Sequence, residues 1–386
     1  MLSAYLEAIF SGVSIGAVLL MAALGLAIVF GLMGVINMAH GELIMLGAYV
    51  TFLVQNGCKA LGGVWFEFYI VPALILAFGV TAIAGLLLER TVIRHLYGRP
   101  LETLLATWGV SLILQQFVRS VNWQLAIGLA LFSGLFWGGL AVLARRPNYE
   151  QIRQWAIALL LPLSAGLAWA VGAFLGQAYA PAMVRPWFGA QNVAVTAPPW
   201  LLSGLPIADF RLPYYRIFII VVTAICVAGI YWFLQRSRWG LRIRAVMQNR
   251  SMSACLGIPT QTVDALTFSL GSGLAGIAGC ALSLLGPVGP NTGQSYIVDT
   301  FVVVVLGGVG KLMGTIVAAI AIGIVNQLIS AGTLVAAFQP LGAVADFFDV
   351  FDSPSMSKVL VFTLIVVFLQ FRPAGFFPQK GRTVDA

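Results

Sequence analysis

Charged residues are scarce in this sequence. Asp, Glu, Lys and Arg make up 9% of its 386 residues, whereas hydrophobic residues make up 60%, and the mean hydropathy is +0.97. A soluble globular protein of this length would show neither value. Because a helix needs about 20 apolar residues to cross the hydrocarbon core, nearly all of the chain must form membrane spans, short loops or interfacial segments. The composition excludes a soluble catalytic domain.

Residues that bind metals or nucleotides are equally sparse. The chain has two His and four scattered Cys without a CxxC pair, so we expect no metal and no cofactor. Gly310 and Lys311 resemble part of a Walker A motif. However, Leu312 stands where that motif needs Ser or Thr, and Val305 stands where it needs its first glycine. A nucleophile elbow and the clustered carboxylates of a proton pump are also missing, so we expect neither an enzyme nor an ATP-binding chain.

Apolar runs predict an all-α polytopic membrane protein with about eleven transmembrane segments, some of them short or broken. The first ten residues contain no Lys or Arg, so we expect the hydrophobic segment that follows to remain as the first span. We expect residues 1–386 to form one transmembrane domain. The predicted segments are residues 8–30, 41–55, 68–88, 101–121, 125–143, 154–176, 214–234, 263–285, 297–309, 312–331 and 357–371.

The positions of Lys and Arg predict the orientation of the chain. With the N-terminus outside and the C-terminus in the cytoplasm, all but six of the 21 basic residues fall on the cytoplasmic side, which is the usual bias of that side. The exceptions are Lys59, Arg119, Arg185, Arg211, Arg216 and Lys358. Because the basic residues lie in short loops, we interpret the net charge of +8 as an orientation signal and expect no nucleic acid partner.

Two segments differ from the other spans. Residues 122–187 are rich in Trp, Leu and Ala and poor in polar residues, which is typical of a lipid-facing hairpin, and we suspect an insertion there. In the span that starts near Asp264, small residues recur every four positions, and we expect this helix in the packed core because small residues let helix backbones approach closely. These residues are Gly271, Ala275 and Gly279 on one ridge and Ser272, Gly276 and Cys280 on the next.

A first polar break lies at residues 31–42. Asn37, His40 and Glu42 interrupt a glycine-rich hydrophobic run there. Lipid cannot hydrogen-bond a backbone, so such a break survives at membrane depth only if it is buried in protein or lines an aqueous path. Asn37 suits the cap of a helix that starts inside the membrane, with Glu42 in its first turn. The alternative is a glycine-rich turn between ordinary helices, with His40 and Glu42 near the cytoplasmic interface.

A second break follows at residues 286–300, with two prolines and three glycines. Paired interrupted segments are the best sequence pointer to a transport site. The alternative is an external loop in which Asp299 caps a helix. The polar residues of this break are Asn291, Gln294, Ser295 and Asp299.

Polar residues also recur every four positions along the segment 101–121, on one helix face. Such a face avoids lipid. It either lines a path for a polar solute or supplies hydrogen bonds between helices, and the sequence leaves both open. The residues are Thr103, Thr107, Ser111, Gln115 and Arg119.

The loop of residues 235–262 carries a basic stretch followed by a short helical pattern. Gly257 and Pro259 provide stop signals at the end of that pattern. A short amphipathic helix on the cytoplasmic face suits docking into a partner's groove. The alternative is a surface helix lying on anionic headgroups.

Three stretches carry a resemblance to a known family. They are FGLMGVINMAHGELIMLGAY, AVMQNRSMSACLGIP and SGLAGIAGCALSLLGPVGPNTGQSYIVDTFVVVVLGGVGKLMGT. They resemble the inner-membrane permeases of the branched-chain amino acid and amide ABC importers, and within them the urea-transport branch, over about residues 1–121 and 190–378. The resemblance implies a second permease subunit, two cytoplasmic ATP-binding subunits and a periplasmic solute-binding protein as partners.

The same resemblance implies that residues 245–258 are the coupling helix, which docks into the ATPase subunit. The candidate coupling residues are Ala245, Asn249, Arg250, Ala254 and Gly257. ATP hydrolysis is then expected in the partner subunits, and this chain performs translocation.

The expected function is alternating-access import of urea or short amides through the lipid bilayer of the bacterial inner membrane. Urea is small and neutral, so a path of amides and hydroxyls without a fixed counter-ion is compatible with it. The alternatives are a branched-chain amino acid importer permease and, in another class, a self-contained urea channel or secondary carrier. The candidate path residues are Asn37, His40, Glu42, Thr107, Ser111, Gln115, Asn291, Gln294 and Asp299.

Overall fold

The computed structural model of the chain describes residues 2–144, 149–178, 184–207, 210–333, 335, 339 and 348–377. The elements up to the central loop are α1 (Leu2–Met33), α2 (His40–Leu61), α3 (Val64–Glu67), α4 (Ile70–Thr91), a 3₁₀ turn (Ile93–Leu96), α5 (Pro100–Ser120), α6 (Trp123–Leu143) and α7 (Tyr149–Ala178). They are followed by α8 (Pro199–Leu202), β1 (Gly204–Ile207), β2 (Phe210–Pro213), α9 (Tyr214–Arg236), α10 (Arg238–Gln248), α11 (Arg250–Cys255), α12 (Thr260–Ser283), α13 (Thr292–Gly307), α14 (Leu312–Ser330) and α15 (Pro354–Phe371).

Among the described residues, eight helices are long and apolar enough to cross a membrane, and α13 and α15 are shorter apolar helices. Helix α2 has 22 residues but a less apolar composition, with Thr51, Gln55 and Lys59 in its second half. Each predicted segment overlaps one of these helices, so the chain is a polytopic all-α membrane protein. The orientation of its termini stays a prediction.

The irregular parts of both breaks are shorter than the sequence predicts. The first covers residues 34–39, because α2 already begins at His40. The second ends at Asn291, because α13 begins at Thr292. The expectation that this break runs to residue 300 is wrong. Pro290 precedes the helix, and the Thr292 hydroxyl oxygen accepts a hydrogen bond from the Gly289 N–H at 2.8 Å, which starts the helix early.

Helix α12 lies in the core, as its small residues predict. Seventeen of its residues are buried. A Cβ on Gly271 would lie 2.7 Å from the Gly25 carbonyl oxygen of α1, and one on Gly276 would lie 2.5 Å from the Ala77 carbonyl oxygen of α4. A Cβ on Gly279 would overlap the backbone of α2. Close contact with three helices therefore depends on these glycines.

Contacts divide the chain into one unit of residues 1–112 with 193–386 and another of residues 113–192. In the second unit α6 and α7 pack on each other, and Asn122 caps α6 by accepting a hydrogen bond from the Leu125 N–H at 2.7 Å. No residue of α6 is buried, and Trp155 and Trp169 are 79% and 77% exposed. This is typical of lipid-facing helices. Residues 145–148 and 179–183 of the predicted hairpin lie outside the described residues.

The antiparallel strands β1 and β2 pair from Gly204 with Pro213 to Ile207 with Phe210. They lie in the loop between the second unit and α9.

Candidate translocation site

The first break turns the chain at the end of α1. Gly34 has a φ of +66°, in the left-handed region that favours glycine. The Asn37 side-chain oxygen accepts a hydrogen bond from the Ala39 N–H at 3.1 Å. Ala39 is the residue before α2 and makes no side-chain cap, so the expectation that Asn37 caps α2 is wrong. Asn37 stabilises the preceding turn, and Glu42 lies in the first turn of α2 as predicted.

His40 ties the start of α2 to α1. Its side chain is fully buried, and its ring Nε2 lies 3.0 Å from the Ala22 carbonyl oxygen. Because a carbonyl oxygen can only accept, the imidazole N–H donates this hydrogen bond. Ala22 lies well inside α1, so α2 starts beside the interior of a spanning helix and not beside its end.

Helix α5 supplies further partners for the break. The Thr107 hydroxyl oxygen accepts a hydrogen bond from the Met38 N–H at 3.1 Å, and the Ser111 hydroxyl donates to Glu42 Oε1 at 3.0 Å. Glu42 is 1% exposed and Thr107 is fully buried. Both hydroxyls belong to the middle of α5, which does not fit a turn at the cytoplasmic interface. The polar face of α5 therefore supplies a hydrogen bond to the first break at Thr107 and one to α2 at Ser111.

The other polar residues of α5 behave differently. The Thr103 hydroxyl donates to the carbonyl oxygens of Leu96 and Arg99, at 3.0 and 2.8 Å, so it closes the start of its own helix. Gln115 is buried but belongs to the unit of residues 113–192. The predicted stripe thus has several structural roles.

The starts of α2 and α13 meet at a pair of glycines. Gly41 is the second residue of α2, and Gly293 is the second residue of α13. A Cβ on Gly41 would overlap the Gly293 carbonyl oxygen, and a Cβ on Gly293 would lie 2.5 Å from the Gly41 carbonyl oxygen. The two backbones are in direct contact, which a side chain on either residue would prevent. The structure thus joins the two breaks.

The polar residues of the second break separate into two groups. Asn291 and Gln294 are exposed on either side of Gly293. Asp299 lies within α13 and is buried, and it accepts a hydrogen bond from the Lys358 ammonium of α15 at 2.9 Å. The alternative that Asp299 caps a helix is therefore wrong. Asp299 thereby ties α13 to α15.

One buried polar cluster emerges from these contacts. It joins the first break to α5 and α1, and we call it the break cluster. Its members are Asn37, His40, Glu42, Thr107 and Ser111. Among the described residues, no group of three or more His, Cys, Asp or Glu is placed to hold a metal.

The predicted coupling segment contains the end of α10 and the whole of α11. Ala245 belongs to α10, which ends at Gln248. Asn249 is extended, with a φ of −155°, and its side-chain oxygen accepts a hydrogen bond from the Met252 N–H at 2.9 Å, which caps α11. The expectation of one helical pattern through residues 245–258 is therefore wrong, because the cap at Asn249 starts a new helix.

Helix α11 ends as the stop signals predict. Gly257 has a φ of +78°, and its N–H donates to the Ala254 carbonyl oxygen at 3.0 Å. The Ile258 N–H donates to the Ser253 carbonyl oxygen at 3.1 Å, which completes a Schellman motif. Met252 and Leu256 are 59% and 76% exposed. These apolar side chains lie on an outward face, next to the exposed Ala254.

An ion-pair network anchors α11 to the spanning helices. The Arg250 guanidinium pairs with the Asp264 carboxylate of α12 at 2.6 Å and lies 4.7 Å from the centre of the Tyr97 ring. The Tyr97 hydroxyl donates to Glu89 of α4 at 3.2 Å, and Arg94 lies 3.8 Å from Glu89. Burial, followed by the nearby carboxylates of Asp264 and Glu89, raises the pKa of Tyr97. Tyr97 therefore stays a hydrogen-bond donor.

Sequence reasoning missed Glu89 and Asp264 as anchoring residues. The signal was present, because both are acidic residues at the ends of predicted spans in a chain with only 13 Asp and Glu. Each also lies near a basic loop.

Known proteins similar to this chain are transport permeases. The family described as branched-chain amino acid transport system / permease component matches residues 8–124 and 189–369. The high-affinity branched-chain amino acid transport system permease protein BraD of Pseudomonas aeruginosa is 27% identical, over 96% of this chain and 95% of its own length. The corresponding permease LivH of Escherichia coli K12 is 24% identical, over 96% and 94%. The ribose import permease protein RbsC of Bacillus subtilis is 31% identical over 28% of this chain and 35% of its own length. No solved structure matches the chain.

Proposed function

The chain belongs to the family of branched-chain amino acid transport system permease components, and we propose that it is the translocation subunit of an ATP-binding-cassette importer for branched-chain amino acids. The observation that carries this proposal is the similarity to BraD and LivH over nearly the whole of each chain. Urea, which the sequence motifs favour, finds no support among these relatives. The branched-chain alternative therefore replaces urea as the substrate.

The geometry of the two breaks supports an amino acid substrate. Helix N-termini carry partial positive charge, and the N-termini of broken helices face anionic substrate groups in transporters. The starts of α2 and α13 meet at Gly41 and Gly293, with the exposed Asn291 and Gln294 beside them. We propose that this crossing and the break cluster shape the path, and that Asp299 supports α13.

The partners follow from the family. We propose that the chain pairs with a second permease subunit in the bacterial inner membrane, receives its substrate from a periplasmic binding protein and is driven by two ATP-binding subunits. We further propose that α11 docks on an ATP-binding subunit through its exposed face, and that the Arg250–Asp264 pair transmits the movement of α11 to α12. Because the family match omits residues 125–188, we propose that the hairpin of residues 122–187 is an insertion.

Substrate uptake tests this function. The chain and its partner subunits are produced in a strain without its own leucine and urea uptake systems, and labelled leucine and urea are supplied. We expect energy-dependent uptake of leucine. Uptake of urea alone would favour the urea importer. Passive flux through the lone chain in liposomes would favour a channel or carrier.

A charge on α11 tests the coupling role. We expect Ala254→Asp to abolish stimulation of the partner ATPase while the chain remains at its normal level in the membrane, because Ala254 is exposed on the proposed docking face. Gln248→Asp, on the exposed end of α10, is the matched control. Normal coupling in Ala254→Asp would contradict docking through this face.

A further inference from the structure

A groove lies between α9 and α14, with α1 along its floor. Its first part is a cavity of about 460 Å³ with almost entirely apolar walls, which include Leu20, Ala224, Val227, Ile316 and Ile320. A second cavity of about 490 Å³ continues it, and Tyr231, Leu312 and Met313 line both cavities. We call the two cavities together the α9–α14 groove.

The length of the apolar part suits a lipid chain. It follows α14 from Leu312 to Ile320, which is about 12 Å at the rise of an α-helix. One leaflet of a membrane provides about 15 Å of hydrocarbon. The apolar part therefore covers most of one leaflet.

The second cavity carries two cations. Arg244 and Lys311 line it, and both are exposed. Arg244 donates a hydrogen bond to the Gln235 side-chain oxygen at 2.8 Å. Within the described part of the chain, the ion pairs involve other basic residues and none includes Arg244 or Lys311. The first turn of α14 holds no acidic residue, so its N-terminus adds positive potential to that of the cations.

We propose that the α9–α14 groove binds one anionic phospholipid, with its phosphate between Arg244 and Lys311 and an acyl chain along the apolar part. Basic pockets between membrane helices recognise anionic headgroups in this way. A soluble phosphate would make no use of the apolar part, and a neutral lipid would leave the cations without a counter-charge. The predicted orientation assigns the site to the cytoplasmic leaflet. The bound lipid would connect α14 to α10, the helix that precedes α11.

Lipid retention by the purified full-length chain tests the proposal. The chain is equilibrated in mixed micelles of phosphatidylglycerol and phosphatidylcholine, and the bound lipid is counted by native mass spectrometry. We expect the unaltered chain to retain phosphatidylglycerol in preference. We expect the double variant R244Q/K311Q to lower that preference at least tenfold, since each cation near an anionic headgroup contributes about fivefold. The control R236Q/R238Q removes the same charge from neighbouring residues that do not line the groove and should keep the preference.

A groove-filling variant separates the contribution of the acyl chain to lipid binding from that of the headgroup. Ala228 lines the apolar part, so Ala228→Trp should lower retention of both lipids by a similar factor. Equal retention of the two lipids by the unaltered chain would overturn the proposal. It would also be overturned if R236Q/R238Q lowered the preference for phosphatidylglycerol as much as R244Q/K311Q does. Displacement by inorganic phosphate would identify a free-anion site instead. Loss of the lipid when the partner subunits assemble would show that a protein occupies the groove.

Discussion

The crossing of α2 and α13 predicts a large effect from the smallest side chain. In Gly41→Ala, the new methyl group would overlap the Gly293 carbonyl oxygen and lie 2.7 Å from the carbonyl carbon, whereas ordinary contacts are 3.4 Å or more. The atoms in the way belong to the Gly293 backbone, so no side-chain rotation can remove the overlap. The two helix N-termini must separate.

We estimate the loss of stability caused by this separation from the known effect of overpacking a protein core. Extra methyl groups in a packed core typically cost about 1–3 kcal/mol. Alanine in place of glycine inside a helix stabilises the helix by about 0.5–1 kcal/mol. The two contributions leave a net loss of about 0–2.5 kcal/mol; because the methyl group meets backbone atoms, we expect Gly41→Ala to destabilise the chain by about 1–2 kcal/mol within that range. We also expect reduced leucine uptake, because the crossing joins both breaks.

Helix α2 supplies a matched control. A Cβ on Gly57 meets no atom within 4 Å, so Gly57→Ala makes the same chemical change in open space and should keep or raise stability and leave uptake unchanged. The assays are thermal unfolding of the chain in detergent and labelled leucine uptake with the partner subunits present. If Gly41→Ala and Gly57→Ala behaved alike in both assays, the close crossing would be refuted.

Three further predictions concern the break cluster, the anchor of α11 and the orientation. Ser111→Ala should lower the stability of the chain by about 1–3 kcal/mol, because it removes a hydrogen bond to a buried carboxylate, whereas Ser120→Ala at the exposed end of α5 should not. Arg250→Gln should cost about 2 kcal/mol of stability and reduce ATPase stimulation, since its side chain is 44% exposed and its partner only 4%; adding Asp264→Asn should restore stability, and no recovery would contradict the ion pair. Cys255 is exposed, so an impermeant thiol reagent should label it only from the cytoplasmic side, and labelling from outside would invert the predicted orientation.

The two breaks show which structural features the sequence pattern predicts and which it does not. Their existence follows from glycine, proline and polar residues in apolar runs, and the structure contains both. Their ends do not follow from the pattern. Asp299 lies within α13 because a polar residue is tolerated in a helix when Lys358 of α15 neutralises it. That partner lies in a distant part of the sequence, so local composition left Asp299 where the predicted break (286–300) and the predicted segment (297–309) overlap.

In the candidate site, too, the sequence predicts some features and tertiary contacts decide the others. The spacing of Thr107 and Ser111 predicts a polar helix face but leaves open whether that face meets solute or protein. The contacts with Met38 and Glu42 show that at these two positions the face meets protein, namely the first break and α2. In the coupling segment, the stop at Gly257 follows from the residue itself, because glycine adopts positive φ readily. The anchor at Arg250 depends on Asp264 across the fold.

The sequence by itself determined the membrane-spanning architecture, the central position of α12 and the presence of the two breaks. It does so because lipid satisfies no backbone hydrogen bonds, which makes span length and small-residue spacing local properties of the chain. Only the tertiary structure decided that Gly41 meets Gly293, and that Glu42 meets Ser111. These pairings depend on how helices from distant parts of the chain cross, and no periodicity within one helix specifies its neighbour.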